Sequence, residues 1–221
     1  VPFDTLDADA IRRLEPALAP IFTRGVLFHG SWHFSDPCGF LDALFAHLAT
    51  GGATLERAQV ERIEPVGDGV AVHAGGAAGL FDHVVIAAGA RSRAIAAACG
   101  DTVPLDTERG YHVQFAAHER IVTRPVGWAE RGFYMTPLDE GLRAAGTVEL
   151  GGFDARMNRS LVALLTRSAR EALPSLGTPT RSWLGFRPTL PDGIPVIGRA
   201  RRSERVIHAF GHQHLGVTLA G

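Results

Sequence analysis

The chain has no lysine, one asparagine (Asn158), two cysteines and two tyrosines. It also has no apolar run near the ~18 residues needed to cross a bilayer. Each shortage excludes something. All 22 basic residues are arginine and they face 23 acidic ones, for a net charge of -1. A nucleic-acid binder needs a strongly basic balance, so no nucleic-acid partner is expected. Cys38 and Cys99 stand far apart without a CxxC spacing, which excludes a disulfide framework and a zinc knuckle. The opening Val1-Pro-Phe-Asp4 lacks the pattern of a signal peptide. These absences predict a reduced, soluble protein in the cytoplasm, with peripheral attachment at the inner face of the membrane as the alternative. The abundance of arginine also means that no single arginine earns a role without positional support.

What is present suffices for a packed core: 46% of the 221 residues are apolar and 20% charged. Asp7 predicts a helix cap and Pro16 its break. Val26–Phe34 reads as a strand or strand pair bent at Gly30. Ser35-Asp36-Pro37 predicts the start of a helix with Phe40, Leu41, Leu44, Phe45 and Leu48 on one stripe, stopped by Gly51-Gly52. Three strands are expected next, over 53–65, 69–74 and 80–88, the last two flanking a Gly75-Gly76 turn. Val84–Ala88 is a continuous apolar run, as for a strand buried on both faces. It leads through Gly89 into an Ala-rich helix over 92–98. Buried strand, small-residue turn and helix together form the nucleotide-side element of dinucleotide folds.

From 103 to about 186 the pattern changes to antiparallel strands, expected over 109–116, 132–137, 142–149 and 182–187. An amphipathic helix over 160–173 is inserted among them, with Leu161, Leu164, Leu165, Ser168 and Ala172 on one stripe. The tail returns to the first character: a turn-rich stretch from Pro191, a second buried strand over 205–210, and a glycine turn at Gly211 entering a helix. The fold class is therefore α/β plus α+β, in two interleaved domains. The expected boundaries are 37–101 with 191–221 for a nucleotide-type domain, and 1–36 with 102–190 for an antiparallel-sheet domain.

Three stretches carry a resemblance. They are Asp82-His-Val-Val-Ile-Ala-Ala-Gly-Ala90, Gly185-Phe-Arg-Pro-Thr-Leu-Pro-Asp-Gly-Ile-Pro-Val-Ile-Gly198 and Gly211-His-Gln-His-Leu-Gly-Val-Thr218. Glu15-Pro-Ala-Leu18, Glu108-Arg-Gly-Tyr-His112 and Gly146-Thr-Val-Glu-Leu-Gly-Gly-Phe-Asp154 support them. In this order they resemble the D-amino acid oxidase–like superfamily of FAD-dependent oxidoreductases, with bacterial D-amino acid dehydrogenases and glycine oxidase among the similar members. The Gly-x-Gly-x-x-Gly turn with which such proteins begin is absent, so the chain is expected to be an interior piece of a longer polypeptide.

The resemblance implies an FAD-binding Rossmann-like part interleaved with a substrate domain, and oxidative deamination of D-amino acids by hydride transfer to FAD. The implied partners are an amino acid, an electron acceptor (quinone or oxygen) and the remainder of the polypeptide. A glycine- or sarcosine-type amine oxidase and a non-catalytic flavoprotein module remain as alternatives. Arg187 is implied to grip the substrate carboxylate, the other reading being a structural pair with an acid such as Asp192. Tyr134 is implied to reach the same carboxylate, or else its ring sits in the core, and Tyr111 is a weaker candidate of that kind. His214 occupies the position of a substrate-side arginine of glycine oxidase.

Val60, Ala88, Gly89, Gly211, His212, Leu215, Gly216, Val217 and Thr218 are the implied cofactor contacts, largely through backbone N–H groups. His212 and His214 lack further ligands for a zinc site, so no metal is expected. His29 and His33 share a face of the expected strand near Trp32, in a core or surface role. No general base is required if the substrate amine enters neutral.

Overall fold

The computed structural model describes residues 1–119 and 121–219. In chain order the first half contains β1 (Phe3–Asp7), α1 (Ala8–Leu14), β2 (Arg24–Phe28), α2 (Pro37–Thr50), β3 (Val60–Val66), β4 (Gly69–Ala74), β5 (Ala77–Phe81), β6 (Val84–Ile86) and α3 (Ser92–Ala98). The second half contains β7 (Asp106–Gln114), β8 (Val126–Trp128), β9 (Phe133–Leu138), β10 (Gly141–Leu150), α4 (Arg159–Ala172), β11 (Arg181–Thr189), β12 (Val196–Ala200) and β13 (Ser203–Phe210). These form two compact units, one of residues 1–54, 110–148 and 155–185, the other of residues 55–109, 149–154 and 186–221. Among the described residues no helix is long and apolar enough to cross a membrane.

The first unit is built on a sheet of order β11-β7-β10-β9-β8 and the pair β1-β2. Alternation decides which face packs: Tyr111, Val113 and Phe115 after β7's start, Phe133 and Met135 of β9, and Leu142 and Ala144 of β10 are buried together. Helix α4 covers them with Leu165, Ala169 and Ala172, its N-terminus capped by Asn158, whose side chain accepts from the Ser160 N–H at 3.1 Å. Helix α1 starts at its Asp7 cap and ends before Pro16. The intervening Glu15 is buried at 2% exposure and accepts from the Thr123 N–H (3.0 Å), the Thr123 hydroxyl and Arg124 Nε (3.0 Å). Glu15 of the Glu15-Pro-Ala-Leu18 stretch is thus a structural anchor.

Helix α2 begins at its Asp36 cap, but its apolar stripe is largely open: Phe40, which meets the Phe34 ring at 4.6 Å, and Leu41, Leu44, Phe45 and Leu48 are each 43–49% exposed. It falls in the first unit, not with the nucleotide-type segment as expected, because Ser35 at its start bonds Asp139 through both backbone and side chain.

The second unit holds the meander β3-β4-β5 and the sheet β12-β13-β6. The turn between β4 and β5 places Gly75 and Gly76 at φ 58° and 80°, the left-handed pair a tight hairpin demands. The expected single strand over 80–88 is two strands in different sheets: β5 pairs antiparallel with β4, while β6 pairs parallel with β13. Nor is β6 buried on both faces; Ile86 is buried while Val85 is 56% exposed. The Asp82-His83 break between two apolar runs is the physical reason for the split. Strands β1, β8 and β12 have no counterpart in the expectations, and the strand expected to reach Phe34 stops at Phe28.

Replacing Glu15 with alanine strands the Thr123 amide and the Arg124 guanidinium. The expected loss is about 2–4 kcal/mol, read as a lowered urea midpoint with unchanged slope.

Candidate functional site

Parallel pairing in the second unit sets Val206 beside Val84, Ile207 beside Val85 and His208 beside Ile86. Both strands therefore run out at the same edge of the sheet. Strand β6 continues into Ala87-Ala88-Gly89 and then α3; β13 continues into Gly211-His212. The carboxyl ends of adjacent parallel strands are where ligands of open α/β sheets lie. Gly89 has φ 56° with nothing within 4 Å of where a Cβ would stand, so ligand could meet bare backbone there.

The turn after β13 is pinned to the Arg187-Pro188-Thr189-Leu190 segment. The Gln213 N–H donates to Pro188 O (3.1 Å) and its Nε2 to Leu190 O (2.9 Å), with Gln213 itself at φ 49°. A Cβ on Gly211 would lie 2.5 Å from Leu190 Cδ1. These contacts bring the two most specific stretches of the sequence together. Beyond them, Leu215, Gly216, Val217 and Thr218 lie in turns. One α-type bond, Leu219 N–H to Leu215 O, is the helical content of the described tail, below the cooperative length of a helix. The expected helix is to that extent corrected, and its residues 220–221 lie outside the described ones.

Arg187 stands near the end of β11, half-buried. Burial lowers its pKa from the ordinary arginine value, and the negative charge of Glu108 opposes that change. Glu108 Oε2 also lies 3.9 Å from His214 Nε2. Asp192 accepts the Ile194 N–H (3.1 Å) within its own turn. The ring of Phe186, beside Arg187 in sequence, packs on Phe153 at 5.5 Å, and the Arg91 guanidinium covers Phe153 at 5.1 Å. Glu108 and Gln213 were not singled out from the sequence. Glu108 opens one of the supporting stretches, and Gln213 sits between two histidines that drew all the attention.

In the first unit Tyr134 is 64% exposed on the outer face of β9. Tyr111 takes a core position: the residue is 1% exposed and its hydroxyl accepts from the Asn158 N–H at 3.3 Å. It is in phase with Val113 and Phe115, so alternation turns it inward. His29 bonds Asp4 at 2.8 Å and His33 meets Pro137 O at 3.2 Å, both at the surface side of the unit. Val60, in the second unit, opens β3 opposite Ala74 and is 40% exposed.

One further group was not foreseen. His112 stacks on Trp183 (centroids 5.0 Å apart, 16° between planes). Burial, then Arg143 and Arg181, push its pKa down to about 4, with Glu140 opposing.

The whole chain, residues 1–221, matches the family DAO, FAD dependent oxidoreductase. It therefore belongs to that family, whose cofactor is FAD. It is 36% identical over 218 residues to a D-amino-acid oxidase of Bradyrhizobium diazoefficiens, covering 96% of this chain and 52% of that protein. It is 31% identical to a D-amino acid dehydrogenase of Dechloromonas aromatica, covering 98% and 55%. Its fold matches glycine oxidase from Geobacillus kaustophilus with a TM-score of 0.89 at 25% identity, over 99% of this chain and 60% of that one. The chain spans about half the length of the curated relatives it matches. The open backbone at Gly89 and the glycine-only position at Gly211, side by side at one sheet edge, fit a flavin cofactor approached by main chain.

Two outcomes follow from this geometry. Gly211→Ala forces a Cβ against Leu190 at a positive φ, and is expected to cost about 1–3 kcal/mol in urea unfolding. His112 is a base whose folded pKa lies below its unfolded value near 6.5, so the unfolded chain takes the proton first. Stability is complete above about pH 6.5 and declines as pH falls toward 4. Unfolding midpoints measured across that window should lose this slope in His112→Gln.

Proposed function

We propose that the intact enzyme oxidatively deaminates an amino acid, D-configured by preference, to a 2-oxo acid and ammonia. Bound FAD supplies the two-electron acceptor for the substrate's Cα hydride. In this reading Arg187 grips the substrate carboxylate, and its half-buried place on a segment braced by Gln213 is the observation that carries the assignment. A partly desolvated guanidinium makes a stronger, more directional pair with a carboxylate than an exposed one does. Glu108 keeps the guanidinium charged and balances it before substrate arrives.

Ala88 and Gly89 at the end of β6, and Gly211, His212, Leu215, Gly216, Val217 and Thr218 after β13, hold the cofactor through main chain, with Val60 as a further contact. Backbone N–H groups in the second turn stabilise negative charge that develops on the ring system. His214 places its Nε2 3.9 Å from Glu108 Oε2, on the same cluster. Tyr134, with its exposed ring and hydroxyl, marks the substrate side of its own sheet.

The substrate amine enters neutral, its lone pair forms the C=N bond as the hydride leaves, and water hydrolyses the imine to oxo acid and ammonia. Quinone or oxygen then takes the two electrons. The relatives' names, D-amino-acid oxidase and D-amino acid dehydrogenase, support this reading. The fold match to glycine oxidase favours a second reading, a glycine- or sarcosine-type amine oxidase. Comparing D-alanine with sarcosine separates the two.

Arg187→Lys keeps the charge but loses bidentate geometry. In the intact, FAD-loaded enzyme it is expected to reduce kcat/KM for D-alanine about 100-fold, mainly through KM, measured as anaerobic flavin reduction. An unchanged KM would remove Arg187 from the site, whereas no flavin reduction by the native enzyme with either amine substrate would favour a non-catalytic module.

A further inference from the structure

The turn that follows β6 carries a single charged side chain. Ala87 and Ala88 are exposed and Gly89 partly so; Ala90 and Ser92 are buried, and Arg91 between them is exposed. The two buried neighbours anchor the backbone and leave the Arg91 side chain to run outward. Aromatic rings then set its course. The guanidinium lies over Phe153, 5.1 Å from the ring centroid, and Phe153 packs on Phe186 at 5.5 Å. Among the described residues no hydrogen bond or ion pair engages this guanidinium. Several other arginines of the same unit are already paired: Arg62 with Glu64, Arg199 with Glu204, Arg201 with Asp101 and Arg205 with Asp68. Arg93, next along α3, donates to the Leu105 carbonyl at 3.4 Å. A ring face holds a cation in place without neutralising it, so the N–H donors of Arg91 stay open to an anion.

The strand that carries Phe186 decides which anion. Phe186 and Arg187 are successive residues of β11 and face opposite sides of it. Arg91 stands on the Phe186 side, so its anion is not the carboxylate assigned to Arg187. A small substrate does not serve both sides of a strand, whereas a long ligand whose negative charge lies apart from its reacting ring does. FAD is such a ligand, with an anionic diphosphate well removed from the isoalloxazine. The turn between a parallel strand and its helix is where dinucleotide folds keep their phosphates. Helix α3 is seven residues long, so the charge has to come from a side chain and not from the helix end. The turn after β13, Gly211 to Thr218, contains no arginine or lysine. Arg91 is left to supply that charge.

Resting on the cofactor contacts proposed above, we propose that Arg91 binds the diphosphate of FAD, its guanidinium presented by the Phe153 ring from the same turn as Gly89. The test is the FAD affinity of the intact apoenzyme, titrated by quenching of flavin fluorescence at low and at high salt. Arg91→Met keeps an apolar stem for Phe153 and removes the charge. It should raise Kd about tenfold at low salt and flatten the dependence of Kd on salt. Arg91→Lys keeps a charge without the planar fork and should recover part of the loss. Arg91 is exposed, so neither variant should move the urea midpoint. A Kd within about twofold of native in Arg91→Met would overturn the phosphate contact alone. So would a loss that is equal at both salts and not recovered by lysine, which marks a packing role. Gly89→Val puts a side chain into the open space at the turn; FAD affinity within about twofold of native in that variant would overturn the cofactor edge, and the role of Arg91 with it.

Discussion

The parallel register of β13 on β6 is the constraint on which the second unit's chemistry depends. Side chains alternate along a strand, so a slip of one residue would turn Val206, His208 and Phe210 out and Ile207 and Ala209 in. A buried polar contact resists that slip. His208 Nε2 donates to Asp101 Oδ2 at 2.9 Å, and the same carboxylate oxygen accepts the Arg201 N–H at 3.1 Å. The hydrogen bond from His208 is the main reason that the Asp101 carboxyl is held below its usual range. Asp101 follows α3 and Arg201 follows β12, so one carboxylate ties three neighbours of the sheet together. Only in this register do the turns after Ile86 and Phe210 emerge side by side.

From that edge outward the proposed cofactor contacts, Arg91 apart, are backbone, not side chain. This explains why small residues crowd the two turns and why their positions, more than their chemistry, matter. Gly211 is required because Leu190 already occupies the space a side chain would take, whereas Gly89 is required for its φ and for the open space before it. Gln213 then does what no glycine can: two hydrogen bonds lock the turn onto the segment that carries Arg187.

Legibility in the sequence followed the range of the interactions involved. Caps, breaks and composition are local, so α2 after its Asp36 cap, the Ala-rich α3 over Ser92–Ala98 and the Gly75-Gly76 hairpin were all readable. The Arg187 segment and the Gly211 turn were readable as motifs, and their mutual contact was not, because Gln213 reaches back more than 20 residues. The inward place of Tyr111 was readable too, since its phase with Val113 and Phe115 already turned it toward the core. The tertiary stack of His112 on Trp183 joins strands about 70 residues apart and left no local trace. Strand β8 is three residues long and includes a glycine, too little for an alternation pattern.

Glu108 ties the proposed chemistry to electrostatics. A half-buried guanidinium without a counter-charge is costly. Glu108 supplies opposing charge to Arg187 and stands 3.9 Å from His214 Nε2. In the proposed role, a substrate carboxylate adds a second negative charge to the field that Glu108 already sets at Arg187. Arginine suits the position because burial lowers its pKa from so high a starting value that it stays charged at neutral pH.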